Sequence, residues 1–306
     1  MADATLTPVQ TAQKMFDLAL AKNNQRADIV FFKAVLHRRA FLSFGGLLHV
    51  IVSGGSAGIT SSNPGLVKVL GGLVFPVGLV MIVLQGQELL TSNMMTVPML
   101  LVKRAAPWWS LPMNWLIVLF GNLTGSLFFA GVLVKGTYGQ SSLSIRMGTG
   151  LIQTNNSFRH SFCGAVPNLR PHFVLHKAMD PHWHQIFLRG IGCNWLVCIA
   201  VWQAMAATEV ISKIVAIFIP IFTFVAAGFD HVVANMFFIP LGIMMGADMT
   251  VADYIKKSLI ASFLGNVVGA LLVALPFMYF FNPLFERESR DLGNRAARPG
   301  RHLWIV

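Results

Sequence analysis

Apolar residues in this chain come in long uninterrupted stretches, not in the alternation of a half-buried strand. Four stretches have the length of one membrane-spanning helix, about 20 apolar residues for a bilayer core. They are Phe41–Thr60, Asn114–Val134, Gln185–Ala206 and Ser258–Phe281. Two more, Leu66–Val102 and Val210–Gly246, each run 37 residues. Those are too long for one span and too short for two spans with a proper turn. Each has a polar, glycine-containing interruption near its middle. The pattern predicts an all-α membrane protein with six transmembrane helices, the second and fifth of them broken. Backbone in hydrocarbon must satisfy its own hydrogen bonds, so a break is tolerated only where protein buries it or a cavity hydrates it. Two breaks at matching places point to a solute path near the bilayer midplane.

The interruptions repeat one another. The first reads Gly86-Gln87-Glu88-Leu89-Leu90-Thr91-Ser92-Asn93-Met94, and the second Gly228-Phe229-Asp230-His231-Val232-Val233-Ala234-Asn235-Met236. Both are glycine, any residue, an acid, four residues, then Asn-Met. Some 35–37 residues later, Gly121-Asn122-Leu123-Thr124-Gly125 is echoed by Gly265-Asn266-Val267-Val268-Gly269. Two matches at nearly one offset indicate an internal repeat, with halves at about residues 40–134 and 185–281. Each half holds an odd number of spans, so the halves run inverted, related by an axis in the membrane plane.

Charge confirms the solvent and sets an orientation. Only 11% of residues are charged and 55% are hydrophobic, against about 25% charged in soluble domains. The net charge of +11 would suggest nucleic acid in a soluble protein. Here the cations sit in the tails and loops: Lys14, Lys22, Arg26, Lys33, Arg38 and Arg39 before the first span, Lys103 and Arg104 after the second, and five arginines between Arg287 and Arg301. That distribution predicts both tails, residues 1–39 and 282–306, on the cytoplasmic side, and no nucleic-acid partner. The N-terminal stretch to Arg39 is polar and mixed, unlike a signal peptide. The loop 135–184 then faces outward and carries the sequon Asn155-Asn156-Ser157, of use only in a lumenal setting. Three cysteines, Cys163, Cys193 and Cys198, form no disulfide framework or zinc spacing. His182-Trp183-His184 lies in the external loop and is not read as a metal site, so no metal and no cofactor is expected.

Ionisable groups inside a membrane are functional by default. The candidates are Glu88, Arg189, Asp230 and His231. Glu88 and Asp230 occupy equivalent repeat positions and are read as caps for backbone amides freed at the breaks, with a proton relay as the alternative. His231 has Leu89 as its mate, so the repeat loses its symmetry beside the expected path. A buried structural histidine is the bland reading; inside a helix break we read it as lining the path, where an imidazole titrates near neutrality. Asn122 and Asn266 are read as scaffold for broken backbone, together with Asn93 and Asn235. Asn194, without a mate, and the Thr91 hydroxyl are read as lining the path.

The segments Gly86–Met94 and Phe229–Met236, with Cys193-Asn194-Trp195-Leu196-Val197-Cys198, closely resemble the formate/nitrite transporter family, over about Arg39 to Phe281. The resemblance implies an aquaporin-like fold assembled as a homopentamer with one pathway per protomer. It implies a loop around Leu89, Leu90 and Thr91 at the first break and a central histidine, here His231, between hydrophobic constrictions. Phe75, Leu79 and Leu90 would form a constriction with Phe224 nearby, and Val197 and Asn194 would line the centre and outer part. Vestibule cations would be Lys177 outside and Arg39 inside. The family more often has Asp where this chain has Glu88.

The implied substrates are small monovalent weak-acid anions, with nitrite and formate first and lactate, acetate or hydrosulfide as alternatives; the external insert around Asn155 to His172 resembles nitrite-type members. Transport, in the plasma membrane, would couple to proton movement through the central histidine, with a proton reaching the anion by way of His231 or from bulk water. A neutral-solute channel of aquaporin type is the alternative class, disfavoured because neither break holds Asn-Pro-Ala. An enzyme is not expected: no nucleophile–base pair, phosphate loop or metal cluster is legible.

Overall fold

The structure, a computed structural model, describes residues 5–36, 38–86, 89–139 and 175–296. Glu88, the side chain of Arg39, and the insert with Asn155 and Cys163 lie outside the described residues. The described residues are helical. Their one β-bridge joins Thr5 to Ala207.

In chain order, α1 (Pro8–Asn23), α2 (Ala27–Leu36), α3 (Arg38–Gly55) and the short α4 (Ala57–Ser62) lead into α5 (Pro64–Leu84). The start of α5 is dictated locally. Pro64 stands where its missing N–H costs nothing, and the Asn63 side chain accepts from the Leu66 amide at 3.1 Å. Then come α6 (Leu90–Val102), α7 (Ser110–Phe128, continuing in wider π-helical turns to Gly139), α8 (Trp183–Ala206), α9 (Val210–Ala226), α10 (Val232–Met244) and α11 (Ile260–Ala296). Among the described residues, Pro64–Leu84, Ser110–Gly136, Trp183–Ala206 and Val251–Phe281 are long and apolar enough to cross a membrane.

Both 37-residue stretches are interrupted where the sequence places the interruption, but not alike. The part before the first break, α5, has 21 residues and is itself of spanning length, whereas α9 has 17. The parts after the breaks match. α6 and α10 have 13 residues each, about 20 Å at 1.5 Å per residue, too short for a hydrocarbon core of about 30 Å. They are buried on every side, at Leu90–Leu100 and Val232–Gly242.

The backbone repeats at an offset of 142 residues. Gly86 (φ +62°) and Gly228 (φ +74°) end α5 and α9 in the left-handed region, where glycine carries no Cβ penalty. Pro98 and Pro240 stand at the same place inside the half-helices. Each half-helix closes through a left-handed residue, Arg104 (φ 53°) or Gly246 (φ 94°). The next amide then reaches back, Ala105 to the Leu100 carbonyl at 2.8 Å and Ala247 to the Gly242 carbonyl at 2.9 Å, as in a Schellman turn.

Polarity is inverted relative to a soluble bundle. Met113, Leu116, Phe120, Leu188, Trp195, Ile219, Leu264, Leu272 and Tyr279 are exposed, while Thr91, Asn93, Asn122, Asn194, Asp230, His231, Asn235 and Asn266 are buried. Small residues let helices close up: a Cβ on Gly265 or Gly269 would strike the Phe187 or Ile191 carbonyl of α8.

Candidate functional site

The site is where the two half-helices begin. Starting a helix leaves amides without partners, and each half solves this with an asparagine from the next long helix. The Asn122 Oδ1 on α7 accepts from the Leu90 amide at 3.2 Å, and the Asn266 Oδ1 on α11 accepts from the Val232 amide at 2.9 Å. The Asn266 Nδ2 also donates to the Gly190 and Asp230 carbonyls, at 2.9 and 3.0 Å. The carbonyl equivalent to Asp230's belongs to Glu88, outside the described residues. One turn into each half-helix a second amide repeats: Asn93 Nδ2 donates to Asn114 Oδ1 at 3.0 Å, and Asn235 Nδ2 to Ser258 Oγ at 3.3 Å. Asn114 and Ser258 precede Asn122 and Asn266 by eight residues each, a spacing that could have marked them in the sequence.

At the centre the halves differ. Val233 is the repeat mate of Thr91, and Leu89 that of His231. The Thr91 Oγ1 and His231 Nε2 are 3.1 Å apart, so residues 140 positions apart join the two half-helix starts. The Ala234 amide donates to His231 Nδ1 at 3.0 Å. Nδ1 is thus an acceptor, and a neutral ring carries its proton at Nε2, directed at Thr91. His231 is the N-cap of α10. Its ring stacks on Phe224 with centroids 5.9 Å apart.

The expectation that Asp230 caps freed amides is not met by the geometry. The N-cap position directly precedes Val232, and His231 occupies it; Asp230 stands one residue too early. Its Oδ1 instead accepts from Asn235 Nδ2 at 3.2 Å and faces the Lys177 ammonium at 3.4 Å. Its Oδ2 makes no hydrogen bond among the described residues. Lys177 also donates to the Phe229 carbonyl at 3.0 Å. Its side chain is 21% exposed and that of Asp230 1%, so the cation stands at the rim and the carboxylate beneath it.

Asn194 on α8 ties the halves together. Its Nδ2 donates to the Thr91 carbonyl at 3.2 Å and to the Asn266 carbonyl at 2.7 Å. Phe75, Leu79, Leu90, Val197 and Phe224 lie in one buried cluster around this centre. Phe75 meets Phe224 edge-on with centroids 5.9 Å apart. Arg189 is half-buried on α8. No cluster of three or more metal-ligating side chains occurs among the described residues.

Comparison with known proteins decides what kind of centre this is. The family model described as "Formate/nitrite transporter" matches residues 9–280. The chain belongs to the formate/nitrite transporter family. A probable formate transporter of Methanothermobacter thermautotrophicus is 37% identical over 290 residues, covering 92% of this chain and 99% of that one. A formate channel of Bacillus thuringiensis is 34% identical, covering 86% and 90%. A solved "Pentameric formate channel with formate bound" superimposes with a TM-score of 0.61 at 27% identity, covering 90% of this chain and 98% of that one. The chain is thus an integral membrane transporter or channel and not an enzyme, with the internal repeat that its own backbone displays.

Within this formate/nitrite transporter the sequence reading missed two features. One is the pairing of Lys177 with Asp230, across 53 positions of chain. The other is a further buried-face histidine, His49 on α3, whose ring lies 5.6 Å from that of Phe238 and 6.3 Å from that of Phe75. It stands alone in its span, without a histidine as its repeat mate or a motif to mark it.

Proposed function

We propose that this transporter carries small monovalent weak-acid anions, nitrite and formate, across the plasma membrane together with a proton. The observation that carries this is the meeting of two half-helix N-termini at the Thr91–His231 pair, inside a ring of apolar and aromatic side chains. Helix N-termini favour negative charge, and apolar rings oppose it. A bare anion in a low-dielectric medium costs on the order of tens of kcal/mol in the Born limit. A path that attracts anions and then strips their water therefore suits a solute that can become neutral.

Lys177 gathers the anion at the outer mouth, and Arg39 serves the inner one. The apolar set Phe75, Leu79, Leu90, Phe224 and Val197 passes the neutral acid, with Asn194 lining the centre. The hydrogen-bond pattern supports one particular part for His231. While Ala234 donates to Nδ1, the ring offers a single proton at Nε2 and cannot take up a second one at Nδ1 without breaking the cap of α10. His231 then acts as a fixed donor to the passing acid or anion, and the transported proton comes from the water outside. Six crossings, cytoplasmic tails and a pentameric assembly complete the reading, the last by likeness to the pentameric formate channel.

Uptake of nitrite, formate and glycerol into proteoliposomes under an imposed pH gradient tests this. An acidic outer medium is expected to accelerate uptake of both anions, and the ratio of their rates names the better substrate. Uptake indifferent to the gradient would remove proton coupling. Glycerol entry without anion entry would replace the reading with a neutral-solute channel.

A further inference from the structure

His49 has no histidine as its repeat mate. It sits half-buried on α3, and its ring meets Phe75 edge-on with centroids 6.3 Å apart. Behind it is Gly71 on α5. A Cβ built there would collide with Nδ1 and Cε1 of the imidazole, so glycine at 71 is what leaves room for the ring.

Phe75 is consequently held by three rings. His49 stands on one side, Phe224 meets it edge-on at 5.9 Å, and Phe238 lies tilted at 6.1 Å. Phe224 in turn stacks on His231 at 5.9 Å. Contact therefore runs unbroken from Gly71 through His49, Phe75 and Phe224 to His231. Interiors packed at crystal-like density do not let a ring turn unless a neighbour yields, and edge-on aromatic contacts add to that hold.

We infer that His49 is a positioning residue that fixes Phe75 against Phe224 and so sets the largest weak acid the path admits. The inference rests on the proposed reading that Phe75 and Phe224 face the path. Removing the imidazole opens a void beside Phe75, into which the phenyl ring can turn. Formate and nitrite are small enough to pass before and after. Lactate, larger than formate by a hydroxyethyl group, gains from the wider bore. A single carbon group at an apolar site already discriminates by about 10–200-fold, so the effect on a bulkier acid is large enough to read.

The test compares formate, nitrite and lactate uptake by proteoliposomes of the full chain, in wild type, His49→Ala, His49→Phe and Gly71→Ala. The lactate-to-formate ratio is expected to rise about tenfold or more in His49→Ala and to return to the wild-type value in His49→Phe, which refills the space. Gly71→Ala, whose methyl group drives the imidazole toward Phe75, is expected to lower the ratio. General damage to the fold would slow all acids together and leave the ratio as it was. Should His49→Ala not assemble, Gly71→Ala decides alone. Ratios unchanged in variants that still carry formate would overturn the inference and leave the proposed function standing. A wild-type protein that carries no weak acid would remove the proposed function, and this inference with it.

Discussion

At the first break the residue before the half-helix is Leu89, and at the second it is His231. Around both, the support is the same: a left-handed glycine, a 13-residue half-helix with proline at its ninth place, and an asparagine eight residues beyond a second polar partner. The inverted repeat thus builds one scaffold twice and places different chemistry on each copy. The first copy offers an apolar wall and the Thr91 hydroxyl that meets His231. The second offers the imidazole and a carboxylate paired with a cation. The scaffold recurs because broken backbone in hydrocarbon must be satisfied in either half. The residues that differ are free to serve the solute.

Making the second break like the first is the largest perturbation available. His231→Leu removes the acceptor of the Ala234 amide and the donor to Thr91. A buried amide without a partner costs about 1–3 kcal/mol, and two lost contacts are expected to slow anion uptake by roughly a hundredfold. His231→Asn should keep uptake within roughly tenfold, since asparagine is a strong N-cap and carries a donor besides. It should also keep the acceleration by outside acid. Equal loss in both variants, with the pH response gone, would instead make ring titration indispensable.

The sequence made the scaffold legible because its residues lie close together in the chain and recur. Two strings at nearly one offset carried the repeat, both break positions and the pairing of Asn122 with Asn266. The lost symmetry at Leu89 and His231 singled out His231, and Thr91 and Asn194 stood out as polar groups inside the apolar stretches; family resemblance added the constriction at Phe75, Leu79, Leu90 and Phe224. What stayed hidden depends on contacts between distant segments. His49 matters through rings on α5 and α10, and nothing adjacent in sequence signals that. Lys177 meets Asp230 only after the chain returns to the second break. Asp230 was expected to cap because acids commonly do so, yet a single residue of register gives the cap to His231. The spanning length of α5 was hidden too, since hydropathy alone does not say where inside 37 apolar residues a helix ends.

The two scaffold asparagines sharpen the comparison by differing in workload. Asn266 makes three side-chain hydrogen bonds, while the described residues give Asn122 one. The Asn266 backbone carbonyl also receives Asn194. At about 1 kcal/mol for each buried hydrogen bond, Asn266→Ala should destabilise by about 3 kcal/mol and Asn122→Ala by about 1 kcal/mol. Thermal unfolding of the detergent-solubilised protein, followed in parallel at one scan rate, should rank the variants in that order. Equal shifts would mean that Asn122 carries as much of its half as Asn266 does.

Thr91→Val is the smallest change and the most symmetric, because Val233 already stands at the equivalent place. It preserves volume and removes only the hydroxyl opposite His231 Nε2. With the Nδ1 side still held by Ala234, the ring should keep its place, so the half-helices should still meet. The loss is one hydrogen bond, about 1 kcal/mol, and uptake of formate and nitrite should fall by a factor of about five. Stability should fall by no more than that one bond, since the Thr91 carbonyl that receives Asn194 is backbone and survives the substitution. Combined with His231→Asn, the pair forms a double-mutant cycle. A coupling term near zero would mean that Thr91 and His231 serve the anion separately. A term as large as the single effect would make them one unit, the point where the two dissimilar copies of one scaffold act together.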